Sequence, residues 1–461
     1  MIFVLKIYWN GTASGSISLI HYACGKGYLK AVKELIECKI DVNGFDENDY
    51  TPLHWAAQNG HSEIVRLLLA NGSDINIMSG KHLNALHIAA ISGQDEIVEF
   101  LLDNGININT LDDQNSSSLH IAAVIGNTST ANLLIMKGAE MELQNVNRWT
   151  PLLCATYYKN IEVARILLNQ GANVNAVDIN GHTPLLLIMK CWTLSNGEDN
   201  GCREFVQLLI DRGADLKMRD EKDRNVLHHA VFNGQDEIVE LLIDNGINCN
   251  ILDNQSNSPL HLAASVGNTS TANILITKGA AIEVQGLNGW TPFLCATYYK
   301  KIEVARMFLN QGANINAVDK YGCTAMHYIL RNISVPKGKG QRMEDLDKDF
   351  IRLLIDNRAN LTIKDSTGKS VLEICKEIDI GEYVLDYLSK KKVSKTIKSK
   401  TFTLQDCIIC NNPRQYIFAL YPCGHANACE SCCIKLLYSK SSNFRCYMCR
   451  AVISDYKKIY F

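Results

Sequence analysis

A period of 33 residues constrains this chain more than any other feature. The segment TPLHWAAQNGHSEIVRLLLANGSDIN, which begins at Thr51, repeats its pattern along most of the length. Its histidine, His54, recurs at His21, His87 and His120, each 33 residues from the next. The register runs on through Leu153, Leu186, His228, His261, Leu294, His327 and Glu373, with longer steps of 42 and 46 residues before His228 and Glu373. The extra residues fall in WTLSNGEDNG and SVPKGKGQRMEDLDKD, which are polar and loop-like. Eleven register positions result, the last in a shortened unit. Self-similarity at this spacing means stacked units, none of which can bury its apolar face alone.

Each unit reads as two short helices. Thr51 is placed to cap the first and Pro52 suits its opening turn. Leu53, Ala56 and Ala57 share one face, Gly60 breaks the helix, and Ile64, Val65, Leu68 and Leu69 give the second an apolar face. Gly72 ends that helix, and SDIN leads into a hairpin-like turn. With TPLH, the alanine pair, the glycine and the LLLANGSDIN tail, the pattern resembles ankyrin repeats across roughly residues 16–390. The departures at Leu153, Leu186, Leu294 and Glu373 affect local hydrogen bonding, whereas the helices are expected to survive them. The final stretch SVLEICKEIDIGEYVLDYLSKK reads as a polar-faced cap.

A longer period overlies the first. Residues 144–178 and 285–319, displaced by 141, agree at 27 of 35 positions, so a block of four repeats is duplicated. That is either tandem copying without consequence or two similar docking surfaces on one arm. The ankyrin resemblance implies a binding face lined by hairpin tips and first helices. Tyr50, Trp149 and Trp290 stand just before the TPLH position, and Trp55, Tyr157, Tyr158, Tyr298 and Tyr299 late in the first helix. Aromatics with a polar end suit the gripping of a partner; the alternative is packing between units. The TPLH histidines lie in different repeats and cannot converge on one ion, so a hydrogen-bonding role is expected. No nucleophile–base pair or phosphate loop stands out in the arm.

Between Ser389 and Lys400 comes a lysine-rich run, SKKKVSKTIKSK, a solvated tether or, on a second reading, a nuclear-import signal. Beyond it the cysteines crowd. Of 17, nine are scattered over residues 24–375, where small buried hydrophobes are expected, and eight fall within 407–449. Cys407, Cys410, Cys423, His425, Cys429, Cys432, Cys446 and Cys449 offer eight thiolate or imidazole donors in close pairs, enough for two closed tetrahedral zinc sites. A module of under 60 residues draws most of its folding free energy from such metal, on the order of 10–16 kcal/mol per structural zinc. The order of ligands resembles a RING finger. That resemblance implies a cross-brace, with Cys407, Cys410, Cys429 and Cys432 on one zinc and Cys423, His425, Cys446 and Cys449 on the other. Cys433 is left over, either as a core or surface thiol or as a competitor of Cys432.

The RING resemblance implies a ubiquitin ligase that holds a ubiquitin-charged conjugating enzyme ready for attack by a substrate lysine. Ile409 and Leu436 match the family's apolar contacts for that enzyme, and Arg450 matches the arginine that bridges enzyme and ubiquitin. Tyr447 stands where many active members carry proline. PCGHANACESC and the ending KKIYF, with Tyr460 eleven residues after Cys449, are similar to inhibitor-of-apoptosis and Mdm-type RINGs, which implies dimerisation through the tail. The competing reading is a non-enzymatic scaffold with a structural zinc module.

The expected architecture is mainly α: an N-terminal extension (1–15), a solenoid of helix pairs with hairpin loops (16–390), a basic linker (391–403) and a small α+β zinc-bound domain (404–461). The start, MIFVLKIYW, is broken by Lys6 and lacks a basic leader, so it is expected to pack on the first repeat or stay disordered. No apolar run approaches the ~18 residues of a membrane span, which argues against an ankyrin-bearing channel. A net charge of -2 argues against a dedicated nucleic-acid binder. Cysteine usage points to a reducing, cytoplasmic setting.

Overall fold

Every TPLH-type turn solves the same problem, the unpaired N–H groups at the start of a helix. In the fourth repeat the backbone N–H of Ser117 donates to Nδ1 of His120 at 3.2 Å, and His120 N–H donates to Ser117 Oγ at 3.5 Å. This is a capping box with histidine at the third helical position in place of the usual Glu or Gln. Because Nδ1 accepts, the ring proton sits on Nε2, which donates to the carbonyl of Trp149 in the next repeat at 3.0 Å. His21, His87, His228 and His261 reach in the same way to the carbonyls of Tyr50, Ser116, Asn257 and Trp290. His54 is the exception. Its Nε2 is buried and closes no hydrogen bond, although the Leu83 and Ile77 carbonyls lie near enough to favour its protonated form.

These turns open helix pairs throughout the computed structural model. It describes residues 18–191, 201–334, 345–377 and 383–390, with the strand backbones of 418–420 and 425–428. The chain divides into two compact units at residue 311. The first holds nine helix pairs among its described residues, from Leu19–Gly25 with Leu29–Glu37 to Pro292–Tyr298 with Ile302–Asn310. Each first helix packs on the first helix of the next repeat, and the second helices stack alongside. The core is a column of Leu, Ile, Val and paired Ala, with Phe205, Phe293 and Phe308 fully buried.

In the second unit Ala325–Ser334 packs on Asp345–Asp356 and Val371–Glu377. The inserted segment read as loop through Asp349 is helical from Asp345; carboxylates there suit a helix N-terminus. Glu373 replaces the histidine without loss, since Ser370 donates to its Oε2 from both N–H (2.6 Å) and Oγ (2.7 Å). Residues 383–390 form a last helix, with Tyr387 hydroxyl on Asp356, as expected of a cap. Two short antiparallel strands, β1 (Phe418–Leu420) and β2 (His425–Ala428), set Leu420 opposite His425. The N-terminal extension, the linker 391–403 and most of 404–461 lie outside the described residues. Among the described residues no helix is long and apolar enough to cross a membrane.

Burial lowers the pKa of every register histidine, to about 4 for His54 and His228, against the weaker opposing pull of the carbonyls they face and of nearby aspartates, Asp112 foremost at His87 and Asp253 at His228. The folded repeats therefore hold neutral rings that the unfolded chain protonates below its ordinary pKa near 6.5. Stability is fully present above pH ~6.5 and is lost as pH falls through the folded values, by at most on the order of 3 kcal/mol for each ring shifted to about 4. Thermal unfolding followed by circular dichroism is expected to show a midpoint that is flat from pH 8 to 7 and falls steadily between pH 6.5 and 4.5. His228→Leu is expected to lower the midpoint at pH 7.5 and to flatten that slope.

Candidate functional site

The hairpin between repeats carries a second recurring device. Eight residues before eight of the register positions stands Asp46, Asp112, Asn145, Asp178, Asp220, Asp253, Asp319 or Asp365, while Ser79 and Gly286 hold that place before His87 and Leu294. In each of the eight, Oδ1 accepts two backbone N–H groups, those two and four residues on; for Asp112 these are Gln114 at 2.9 Å and Ser116 at 2.7 Å. The same pair of bonds recurs at Asp46, Asn145, Asp178, Asp220, Asp253, Asp319 and Asp365. The clamp encloses a residue in the left-handed region: Asp49, Asn115, Arg148, Asp223 and Ser256 among the non-glycines, at φ of 57 to 58°. A non-glycine in that conformation costs about 1–2 kcal/mol, which charge-assisted bonds from the carboxylate offset. The sequence reading passed over these residues. Their signal, an aspartate at constant register, was present beside the histidine.

The expected aromatics stand at these tips, Trp149 on one clamped by Asn145 and Trp290 on one with Gly286 in the clamp position. Trp149 packs on Tyr157 with ring centroids 4.7 Å apart, and Tyr157 meets Tyr158 edge-on at 5.1 Å. The duplicate reproduces the cluster, with Trp290 on Tyr298 at 4.7 Å and Tyr298 against Tyr299 at 5.2 Å. The tyrosines remain open to solvent, Tyr158 at 49% and Tyr299 at 50%, while the tryptophans are half-buried. Ile91, Ile125 and Val146 are exposed on the first block, and Phe232 and Leu287 on the second. A cleft of about 380 Å³ opens over Trp149 and Tyr158, walled by Asp112, Ile121 and Ile125. Tyr50 and Trp55 stand apart from both clusters. Tyr50 lies edge-on against His54, and Trp55 donates its Nε1 proton to Asp46 Oδ2 at 2.8 Å.

Chemistry other than binding finds little support in the arm. Burial pushes the Cys24, Cys154 and Cys295 thiols up to about 12, so they stay protonated as small core residues. Cys38 differs from the expected pattern because it follows the helix Leu29–Glu37 and is exposed. Among the described residues no group of three or more His, Cys, Asp or Glu is placed to hold a metal ion. The eight proposed zinc donors, with Ile409, Leu436, Arg450 and Tyr460, lie outside the described residues except for the backbone of His425, which opens β2. The donor set itself, seven thiols and an imidazole within 407–449, suits closed tetrahedral zinc and leaves no position that water must fill.

Comparison with known families accords with this geometry. A family model described as ankyrin repeats (3 copies) matches residues 4–79, 20–112, 71–145, 119–191, 194–286 and 267–338. The chain belongs to the ankyrin-repeat family. A second model, zinc finger of C3HC4 type (RING finger), matches residues 403–456, so the repeats are followed by a C-terminal RING finger. No curated protein matches the chain.

Because Asn145 makes the clamp as Asp112 does, with bonds of 2.9 and 3.0 Å, a neutral amide suffices for it. Asp112→Asn is expected to leave the denaturant midpoint nearly unchanged. Asp112→Ala, which strands two backbone N–H groups, is expected to cost about 1–3 kcal/mol in the same measurement.

Proposed function

We propose that the chain is a RING-type ubiquitin ligase whose ankyrin arm recruits a protein substrate. The observation that carries this reading is the union, in one chain, of a RING match over 403–456 with a repeat array bearing exposed aromatic clusters. Cys407, Cys410, Cys429 and Cys432 would hold one zinc, and Cys423, His425, Cys446 and Cys449 the other. Both ions serve to fold the module and stay outside the chemistry.

Ile409 and Leu436 give the charged conjugating enzyme an apolar seat, and Arg450 offers its planar fork of donors where enzyme and ubiquitin meet. A substrate lysine then attacks the ubiquitin thioester. The isopeptide bond forms, the enzyme's thiol leaves, and no covalent intermediate resides on this chain. Its contribution is proximity and orientation. Tyr460 near the tail supports a homodimer in the manner of inhibitor-of-apoptosis and Mdm-type RINGs. The nine cysteines of the arm, none in a disulfide among the described residues, suit a reducing cytoplasm, with the lysine run after Ser389 as a route to the nucleus.

The scaffold reading draws on one residue, Tyr447 in place of proline. Ubiquitination in vitro with a panel of conjugating enzymes separates the two. Wild type is expected to build chains that Ile409→Ala and Cys423→Ser abolish, and Arg450→Ala is expected to slow transfer about tenfold, the rate value of ~1.4 kcal/mol. Silence across the panel, from protein carrying its metal, would leave the scaffold. Metal analysis of freshly purified chain is expected to give two zinc ions per chain, and a count well below two would undo the ligand assignment.

A further inference from the structure

The second carboxylate oxygen of the clamp is where the two duplicated blocks part. In six repeats Oδ2 is taken by a side chain of the protein. Trp55 Nε1 holds Asp46 at 2.8 Å, and His182 Nδ1 and His229 Nε2 hold Asp178 and Asp220, each at 3.0 Å. The Tyr328 hydroxyl holds Asp319, Arg331 holds Asp365, and Arg224 Nε and Asn257 Nδ2 both hold Asp253, each at 3.4 Å. Asp112 alone among these aspartates has no such partner within the described residues. The reason is visible in its neighbours. The positions that supply Arg224, Arg331 and the Trp55–His229–Tyr328 series are Leu83, Ile91 and Ile121 around Asp112, all aliphatic.

Leu83 and Arg224 are the same position of the duplicated block, 141 residues apart. In the second block Arg224 is 22% exposed and leaves the Asp253 side chain at 0%. The protein thus shows, in its own second copy, which group fits this carboxylate. In the first copy the group is missing, the carboxylate is half-buried on the wall of the cleft, and Trp149 and Tyr158 line the same space. A cation held against a carboxylate and aromatic faces gains both an ion pair and a cation–π contact.

We propose that the first cleft takes an arginine side chain from an extended segment of the recruited protein, its guanidinium paired with Asp112 Oδ2 between the rings of Trp149 and Tyr158. The flanking residues of that segment are apolar, to meet the exposed Ile91, Ile125 and Val146. The second cluster, around Trp290 and Tyr299, takes an uncharged ligand because Arg224 already neutralises Asp253. The ligand is a substrate only insofar as the ligase reading holds; the binding itself stands apart from it.

The test is panning of a displayed random dodecapeptide library on the full chain, followed by affinity measurement with the enriched peptides made synthetically. Peptides sharing one arginine beside apolar residues are expected. Their binding is expected to weaken at least tenfold on Arg→Ala in the peptide and on Asp112→Asn in the protein, with an unchanged circular dichroism spectrum. Arg224→Leu, which removes the cation from Asp253 and leaves only the neutral Asn257 amide on Oδ2, is expected to raise the stoichiometry from one to two. Should that variant fail to fold, Asp112→Asn alone decides. No enrichment, an acidic or wholly apolar consensus, or equal binding by Asp112→Asn would overturn the proposal. Ubiquitin chain formation measured without peptide keeps the two readings separable, because a silent RING leaves peptide binding intact and a lost peptide site leaves the RING active.

Discussion

The arm depends on a carboxylate that folds its own backbone. Aspartate, or in one repeat Asn145, eight residues before most register positions draws in two N–H groups and holds a left-handed turn that most of its occupants would not adopt unaided. The clamped tips deliver the Tyr50, Ser116, Trp149 and Asn257 carbonyls to the histidines of the repeats before them, while Trp290 is delivered from a turn that has Gly286 in the clamp position. The cap, the cross-repeat bond and the presented aromatic all follow from one short-range interaction. Nearest-neighbour stacking then multiplies it along the chain.

A device that uses one carboxylate oxygen for folding leaves the other available. Across the repeats that second oxygen is quenched by whatever side chain is near: an indole, an imidazole, a phenol or a guanidinium. The variety argues that the partner is exchangeable while the clamp is not, since a buried carboxylate needs some donor but no particular one. Burial works against ionisation at Asp178 and Asp220, yet the backbone and histidine bonds outweigh it and hold both carboxyls below their usual pKa. Where aliphatic residues surround the oxygen, as at Asp112, the charge must face water or a ligand. Duplication followed by a change at one position, Leu83 against Arg224, therefore suffices to make two surfaces of unlike charge from one template.

The fold was legible because its signal is periodic and redundant. Helix caps, glycine stops and alanine pairs each repeat many times, so local departures at Leu153 or Glu373 cannot obscure the register. Six of the eight candidate aromatics come together, Trp149 with Tyr157 and Tyr158 and their copies alike. What the sequence did not display was pairing in space. Trp55 occupies the same kind of position as the clustered tyrosines, yet an aspartate nine residues earlier claims its indole N–H. Nor does an aspartate in a polar turn announce which of its oxygens is spent, because that depends on a side chain of its own or the preceding repeat. The RING finger was readable for the opposite reason, that metal ligation fixes residue type and spacing through bonds that no neighbouring packing can replace.

The repeats that lack histidine show how one interface can be built from different forces. At Leu153 the hydroxyl of Thr150 still caps the helix, at 3.4 Å, but no ring reaches the next hairpin. Leu153 is buried with Ala176 and Leu187, and Trp149 and Cys191 pack against them. A buried leucine contributes about 1.5–3 kcal/mol of transfer free energy, comparable with the net worth of the one or two hydrogen bonds a histidine would make there. The exchange is nearly neutral at pH 7 but unequal in acid, where a leucine has nothing to protonate. The interfaces after Leu153 and Leu186 should thus outlast those held by His120 and His228 as pH falls, so acid opens the array from its histidine-bearing repeats. The Trp149 cluster sits across both kinds, its carbonyl held by His120 and its ring packed against the Leu153 core. The carbonyl bond would be the first of the two to weaken, while the packed ring keeps its place.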